Sequence, residues 1–176
     1  MNQNNNEKIF SKDAKFLLAL HSSTSTLGIG LIKIDKSKTV FKSSTIKVSQ
    51  DLSNYLFNFV EEILPSMFWH QIIRLAVSTG PGGYTSTRIS VVFARTLAQQ
   101  LKCDLDGISS FHLMAHRLAK EFIPSNLEQT FWITQALKRR GIVAGQYKLN
   151  DNINPNTVSF KKPNAIFKET FKSKIS

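Results

Sequence analysis

The segment GPGGYTSTRIS, Gly80 to Ser90, places three glycines in four residues directly ahead of a hydroxyl-rich run and an arginine. Glycines at that density admit positive φ angles and the close approach of another backbone or a ligand. Thr85 or Ser86 is expected to cap the helix that follows, whose first N–H groups are unpaired and attract anions, and Arg88 in its first turn adds positive charge. Gly80, Gly82, Thr85 and Arg88 are therefore the candidate binding-loop residues, against the plainer reading that a strand-to-helix loop needs glycine for geometry alone. His112 and His116 form an H-x-x-x-H pair on a predicted helix, where residues four apart share a side, a spacing that metal sites use. His21 and His70 complete the four histidines, and with abundant serines they supply parts for a hydrolase. No nucleophile-elbow or zincin spacing assembles them, so a peptidase is the weakest functional class. Cys103 is the single cysteine; it can form no internal disulfide and reads as a plain buried or half-buried thiol.

Charge points to an anionic partner. Of the formal +11 in 176 residues, the stretch Lys138 to Ser176 carries nine Lys or Arg against two acids, Asp151 and Glu169, a net +7. Lys138, Arg139 and Arg140 form its densest knot, and Tyr147, Phe160, Phe167 and Phe171 interleave with lysines in a way that suits base stacking. A stand-alone nucleic-acid-binding module is one reading of this segment, and a solvated basic tail is the other. The apolar fraction of 41% and charged fraction of 20% are those of a folded globular chain. No apolar run approaches the roughly 20 residues that cross a bilayer, and the polar start MNQNNNEKIFSKDA lacks a secretory h-region, so a cytoplasmic, membrane-free protein is expected.

The elements that must position these residues follow from periodicity. Phe16–Leu20 and Leu27–Ile34 are apolar runs joined by the polar turn HSSTST, a predicted hairpin, with a third strand near Thr39–Lys47. Asp51–Leu64 has apolar residues at helical spacing and ends at Pro65. Ile72–Ser78 reads as a buried strand, Gly80–Tyr84 as a loop and Thr85–Leu101 as a helix. Leu105–Ile108 is a short strand, and Ser109 or Ser110 caps a helix to about Phe122. Beyond it, Gln129–Thr134 and Gly141–Leu149 are strand candidates. Three strands followed by alternating helices and strands predict an α/β fold, a mixed sheet of the actin-like, ribonuclease-H-like plan with flanking helices. The expected divisions are a disordered tail over 1–15, a first lobe over 16–109, a reduced second lobe over 110–150, and a basic, partly flexible segment over 151–176.

The helix Thr85–Leu101 carries Ile89, Val92, Phe93, Leu97 and Leu101 on one broad face, while Val91, Ala94 and Ala98 spread round towards the other. A helix apolar nearly all round is covered twice, once by its own sheet and once by something else.

The stretch LAVSTGPGGYTSTRISVVFARTLAQQLKCDLDGISSFHLMA, Leu75 to Ala115, resembles the TsaB family pattern of a strand, a GPG-S-F-T-G-x-R-I-G loop, an Ala-rich helix and a strand ending in GVSSL. FLLALHSSTSTLGIGL, Phe16 to Leu31, looks like the family's opening strand-turn-strand, and KRRGIVAGQY, Lys138 to Tyr147, is similar to its RRGEVY segment. The resemblance implies an actin-like fold and a partnership rather than a reaction. A TsaB-type chain is a non-catalytic scaffold that binds the TsaD transferase in threonylcarbamoyladenosine modification of tRNA, with a TsaE-type ATPase joining and a homodimer forming when it is alone. ATP is handled by the partner subunits, and this chain alone holds no cofactor firmly. Carried over, the interface falls on Asp51–Leu64 and Thr85–Leu101, through Leu56, Phe59, Ile89, Val92 and Phe93, and Lys138, Arg139 and Arg140 become candidate tRNA contacts.

The departures argue against catalysis. Where many relatives hold an Asp after the first strand this chain has His21, which cannot replace a carboxylate on a hard cation and reads as a hydrogen-bonded structural residue. Matching GISS, Gly107 to Ser110, to TsaD puts that protein's two metal ligands at Ser110 and Met114, so the His112/His116 pair is displaced to another side of the helix. Family acids in the RRG segment become Gln135 or Leu137 and Ile142. A glycoprotease-type peptidase has nothing further to rest on.

Overall fold

Alternate residues of the first strand pair dictate which side is core. In β1 (Lys15–His21) Phe16, Leu18 and Leu20 are buried, and in β2 (Thr26–Ile34) Leu27, Ile29 and Leu31 match them, as a period of two requires of strands with one covered face. The computed structural model describes residues 13–34, 40–47, 52–122, 130–137, 141–149, 158–160 and 164–166. β3 (Val40–Lys47) follows, then α1 (Leu52–Ile63), a 3-10 turn (Ser66–Gln71), β4 (Ile72–Ser78), α2 (Tyr84–Leu101) and β5 (Asp104–Ile108). β1 pairs antiparallel with β2, and β2 with β3, while β1–β4 and β4–β5 are parallel. The resulting five-stranded sheet has the order β3-β2-β1-β4-β5. This is the α/β, actin-like mixed sheet expected from the sequence.

α1 presents Leu52, Leu56, Val60 and Ile63 to the sheet, a stripe of positions three and four apart. Pro65 stands just past its end, where Trp69 Nε1 donates to the carbonyl of Leu64 at 2.7 Å and Lys42 Nζ reaches that of Ile63 at 3.5 Å. α2 buries Ser90, Ala94, Leu97 and Ala98. It stops at Lys102, whose left-handed φ of 54° and ψ of 40° close the helix. Both helices contribute to one core with Phe16, Leu18, Leu75 and Val77.

The chain divides into two units, Met1–Ile108 and Ser109–Ser176. In the second, α3 (Ser110–Phe122) accompanies β6 (Thr130–Leu137), β7 (Gly141–Leu149), β8 (Val158–Phe160) and β9 (Asn164–Ile166). β6, β8 and β9 all pair antiparallel with β7. Phe111, Ala115, Ile133 and Tyr147 form its core, with the Phe131 ring stacked on Tyr147 at 5.8 Å.

One sequence expectation needs correction: β6 runs to Leu137 rather than stopping at Thr134, because its pairing with β7 continues to Leu137↔Gly141. The stretch 151–176 supplies β8 and β9, strands of three residues each whose pairing along β7, not any periodicity of their own, defines them. The 3-10 turn Ser66–Gln71 packs Phe68 and Trp69 against the core. The N-terminal tail over 1–12 and most of 151–176 lie outside the described residues.

Candidate functional site

β1 and β4 end side by side, so the turn after His21 and the loop after Ser78 leave one edge of the sheet together. They are sewn to each other. The Ser22 N–H donates to Ser78 Oγ at 3.3 Å, Ser23 Oγ donates to Ser78 Oγ at 3.1 Å, and the Gly83 N–H donates to the Ser23 carbonyl at 3.0 Å. Ser86 Oγ donates to the Ser22 carbonyl at 2.8 Å, and Ser22 Oγ returns a bond to the Ser86 carbonyl at 3.0 Å. Ser22, Ser23 and Ser78 are all buried. Buried hydroxyls and amides satisfied in this way hold position strongly, since each would cost free energy if left alone.

This seam explains the glycines. A Cβ on Gly82 would lie 2.3 Å from the Ser23 carbonyl oxygen, closer than any real contact allows. Gly80 has a φ of 92°, which side chains rarely tolerate. The expected cap is corrected at the same point. The helix starts at Tyr84 with Gly83 as N-cap and no side-chain cap bond; Thr85 is exposed and the Ser86 hydroxyl is turned to Ser22. His21 stands beside this turn. Burial pushes its imidazole pKa below the ordinary 6.5, and its Nδ1 has no hydrogen-bond partner among the described residues, which corrects the reading of a hydrogen-bonded histidine.

Because the seam fixes where α2 begins, it also fixes what α2 shows to α1. Between the N-terminal halves of the two helices lies an open groove of about 680 Å³, lined by Ser53, Leu56, Phe57, Tyr84, Thr85, Arg88, Ile89, Val92 and Phe93. Val92 is 62% exposed and Tyr84 67%, unusual for residues of their size unless something covers them. Arg88 Nη1 donates to Tyr84 Oη at 2.6 Å, and its guanidinium carbon sits 4.7 Å over the same ring.

Of the residues singled out in the sequence, Leu56, Ile89, Val92, Phe93, Thr85 and Arg88 meet in this groove. Gly80 and Gly82 belong to the seam. Leu56, at 2% exposure, is a core side chain that reaches the groove only as its floor, and Phe59 packs partly buried against the core without lining the groove. Ser53, Phe57 and Tyr84 were missed; Phe57 off the Leu52–Leu56–Val60–Ile63 stripe was the available signal of a second apolar face. Lys138, Arg139 and Arg140 lie outside the described residues. His112 sits 6.3 Å from the Tyr147 ring, and the His116 side chain is not described. No group of three metal-ligating side chains occurs among the described residues. Burial pushes the Cys103 thiol pKa up, as a plain thiol requires.

The profile of the TsaD family, tRNA N6-adenosine threonylcarbamoyltransferase, matches residues 46–151, which include α1, the Gly80 loop and α2. The chain belongs to this family. Within it the chain is TsaB/YeaZ-like. It is 32% identical over 101 residues to the tRNA threonylcarbamoyladenosine biosynthesis protein TsaB of Bacillus subtilis (strain 168), covering 56% of this chain and 43% of that one. To TsaB of Buchnera aphidicola subsp. Acyrthosiphon pisum it is 21% identical over 144 residues, 76% of this chain and 63% of the relative. The chain thus spans less than two thirds of either relative's length. YeaZ from Pseudomonas aeruginosa shares the fold with a TM-score of 0.67 at 18% identity, over 86% of this chain and 67% of that one. A second structure, described as similar to peptidase YEAZ from the same organism, gives 0.68 at 18% identity, over 87% and 67%. No helix among the described residues is long and apolar enough to cross a membrane.

Gly82→Ala should lower stability by roughly 2–4 kcal/mol, because the loop must leave Ser23 to admit the methyl group. Gly28→Ala, whose Cβ meets nothing nearer than 3.9 Å, should cost about 1 kcal/mol or less. Urea unfolding followed by circular dichroism measures both.

Proposed function

We propose that this chain acts in tRNA threonylcarbamoyladenosine biosynthesis as a non-catalytic TsaB-type subunit, docking a TsaD-type transferase through the groove between α1 and α2. The observation that carries the reading is the groove itself. Its lining is mostly apolar, and Val92 and Tyr84 stand exposed on a helix whose other face is already buried in the core. An apolar face of this kind gains stability when a partner covers it. Family membership and the names of the TsaB relatives support the pathway, and a transferase of the matched family is the partner this reading takes.

In this reading the chain works in the cytoplasm. A TsaE-type ATPase and tRNA join the complex, ATP is handled by the partner subunits, and Lys138, Arg139 and Arg140 contact tRNA. Alone, the chain pairs with itself. The seam favours a scaffolding role, because the Gly83 amide and the Ser86 hydroxyl, which might have met a phosphate at the Gly80 loop, are engaged with Ser23 and Ser22.

Size-exclusion chromatography with light scattering, using the chain alone and mixed with the TsaD-type transferase of the same cell, tests the proposal. The wild type should give a heterodimer, and Val92→Glu should abolish it while keeping a native circular dichroism spectrum. A transferase that never co-elutes with the wild type would refute docking, and salt-dependent tRNA binding by the chain alone would then favour the basic segment as a separate nucleic-acid module.

A further inference from the structure

Arg88 is the one charged residue of the groove lining, and no carboxylate stands within salt-bridge distance of it among the described residues. Tyr84 holds it in place. The ring lies beneath the guanidinium and the phenol oxygen accepts from Nη1, which leaves the edge formed by Nε and Nη2 without a hydrogen-bond partner among the described residues. That edge is the one that binds a carboxylate through two parallel N–H donors. The first turn of α2, just ahead, carries no acid to offset the positive end of the helix.

A partner that covers this groove takes Arg88 out of water, and a buried charge is costly unless an opposite charge meets it. The groove lining of a second copy supplies none. In an isologous contact the same patch appears on both sides, so groove on groove brings a second Arg88 and no acid from the lining. Glu61 and Glu62 are further along α1, towards its C-terminal end and beyond the residues that line the groove, and Glu61 accepts from Ser66 Oγ at 2.7 Å.

We infer that Arg88 is the selectivity residue of the groove: it takes an Asp or Glu carboxylate carried beside an apolar segment of the transferase, and it disfavours a second copy of this chain. This rests on the docking role proposed above and adds the chemistry that the docked segment must carry. Two associations of one surface then respond oppositely to the same change. The heterologous complex is held partly by a charge pair that salt screens, whereas self-association works against a repulsion that salt relieves.

The experiment compares the full-length chain with Arg88→Gln, Arg88→Lys and Val92→Asn at about 50 mM and about 500 mM NaCl. Calorimetry reads the affinity for the transferase, and sedimentation velocity reads self-association. Val92→Asn is used because a glutamate at 92 would stand one helical turn from Arg88 and occupy it internally. Arg88→Gln should weaken transferase binding about tenfold at low salt and flatten its salt dependence, with Arg88→Lys intermediate. It should tighten self-association, most at low salt. Transferase binding by Arg88→Gln equal to wild type at both salts, while Val92→Asn still weakens it, overturns the role of Arg88 and leaves the groove standing. Binding untouched by Val92→Asn as well overturns the groove together with it. Self-association that is unchanged or weaker in Arg88→Gln contradicts the selectivity.

Discussion

The carbonyl of Ser23 occupies the space where a side chain at position 82 would begin. That single close approach sets the rest of the site. It lets the Gly83 amide bond to the first turn, brings Ser86 onto Ser22, and starts α2 at Tyr84 instead of a residue or two later. Slipping the helix by one residue against the sheet would rotate every side chain by about 100°. With such a slip, Ala94 and Ala98 would no longer meet the sheet, and Val92 would no longer stand beside the N-terminal half of α1. The glycines of the loop therefore act through packing, and the helix face they orient is the one left exposed beside α1.

α2 divides its two apolar faces by size. Ser90, Ala94 and Ala98 are small, so the helix approaches β4 closely, while Ile89, Val92 and Phe93 project towards α1 and the solvent. Close approach through small residues leaves Val92 outside the chain's own core, with Ile89 and Phe93 only partly buried against it. Phe57 and Tyr84 are in the same position, one on each helix, and they widen the apolar surface that the groove presents. In the proposed docking, Arg88 gives an otherwise sequence-indifferent groove a preference, since desolvating a guanidinium rewards one class of partner and penalises another.

Much of the fold was legible in the sequence because strand alternation in Phe16–Leu20 and Leu27–Ile34, and the helical stripe of α1, are strong periodic signals. The order of elements led directly to the mixed sheet. What periodicity could not say was which apolar face of α2 is buried, because both faces read as apolar; the difference lies in side-chain volume, not in hydropathy. For the same reason the sequence did not tell Leu56, a buried side chain, from Phe57 and Tyr84, whose side chains stand exposed. The seam was invisible, since its bonds join residues more than fifty positions apart. The starting point of α2 followed from that seam, so a local rule that favours Thr or Ser as cap gave the wrong residue. β8 and β9 are too short to carry a period and exist only as pairings to β7.

Hydrogen exchange of this chain, free and saturated with the TsaD-type transferase, tests the central claim most directly. If α1 and α2 form the docking face, amides in Leu52–Ile63 and in the N-terminal half of Tyr84–Leu101 should exchange more slowly in the complex, while β3 and α3 keep their free rates. Protection confined to β3 or to Ser109–Ser176, with α1 and α2 unchanged, would contradict the account.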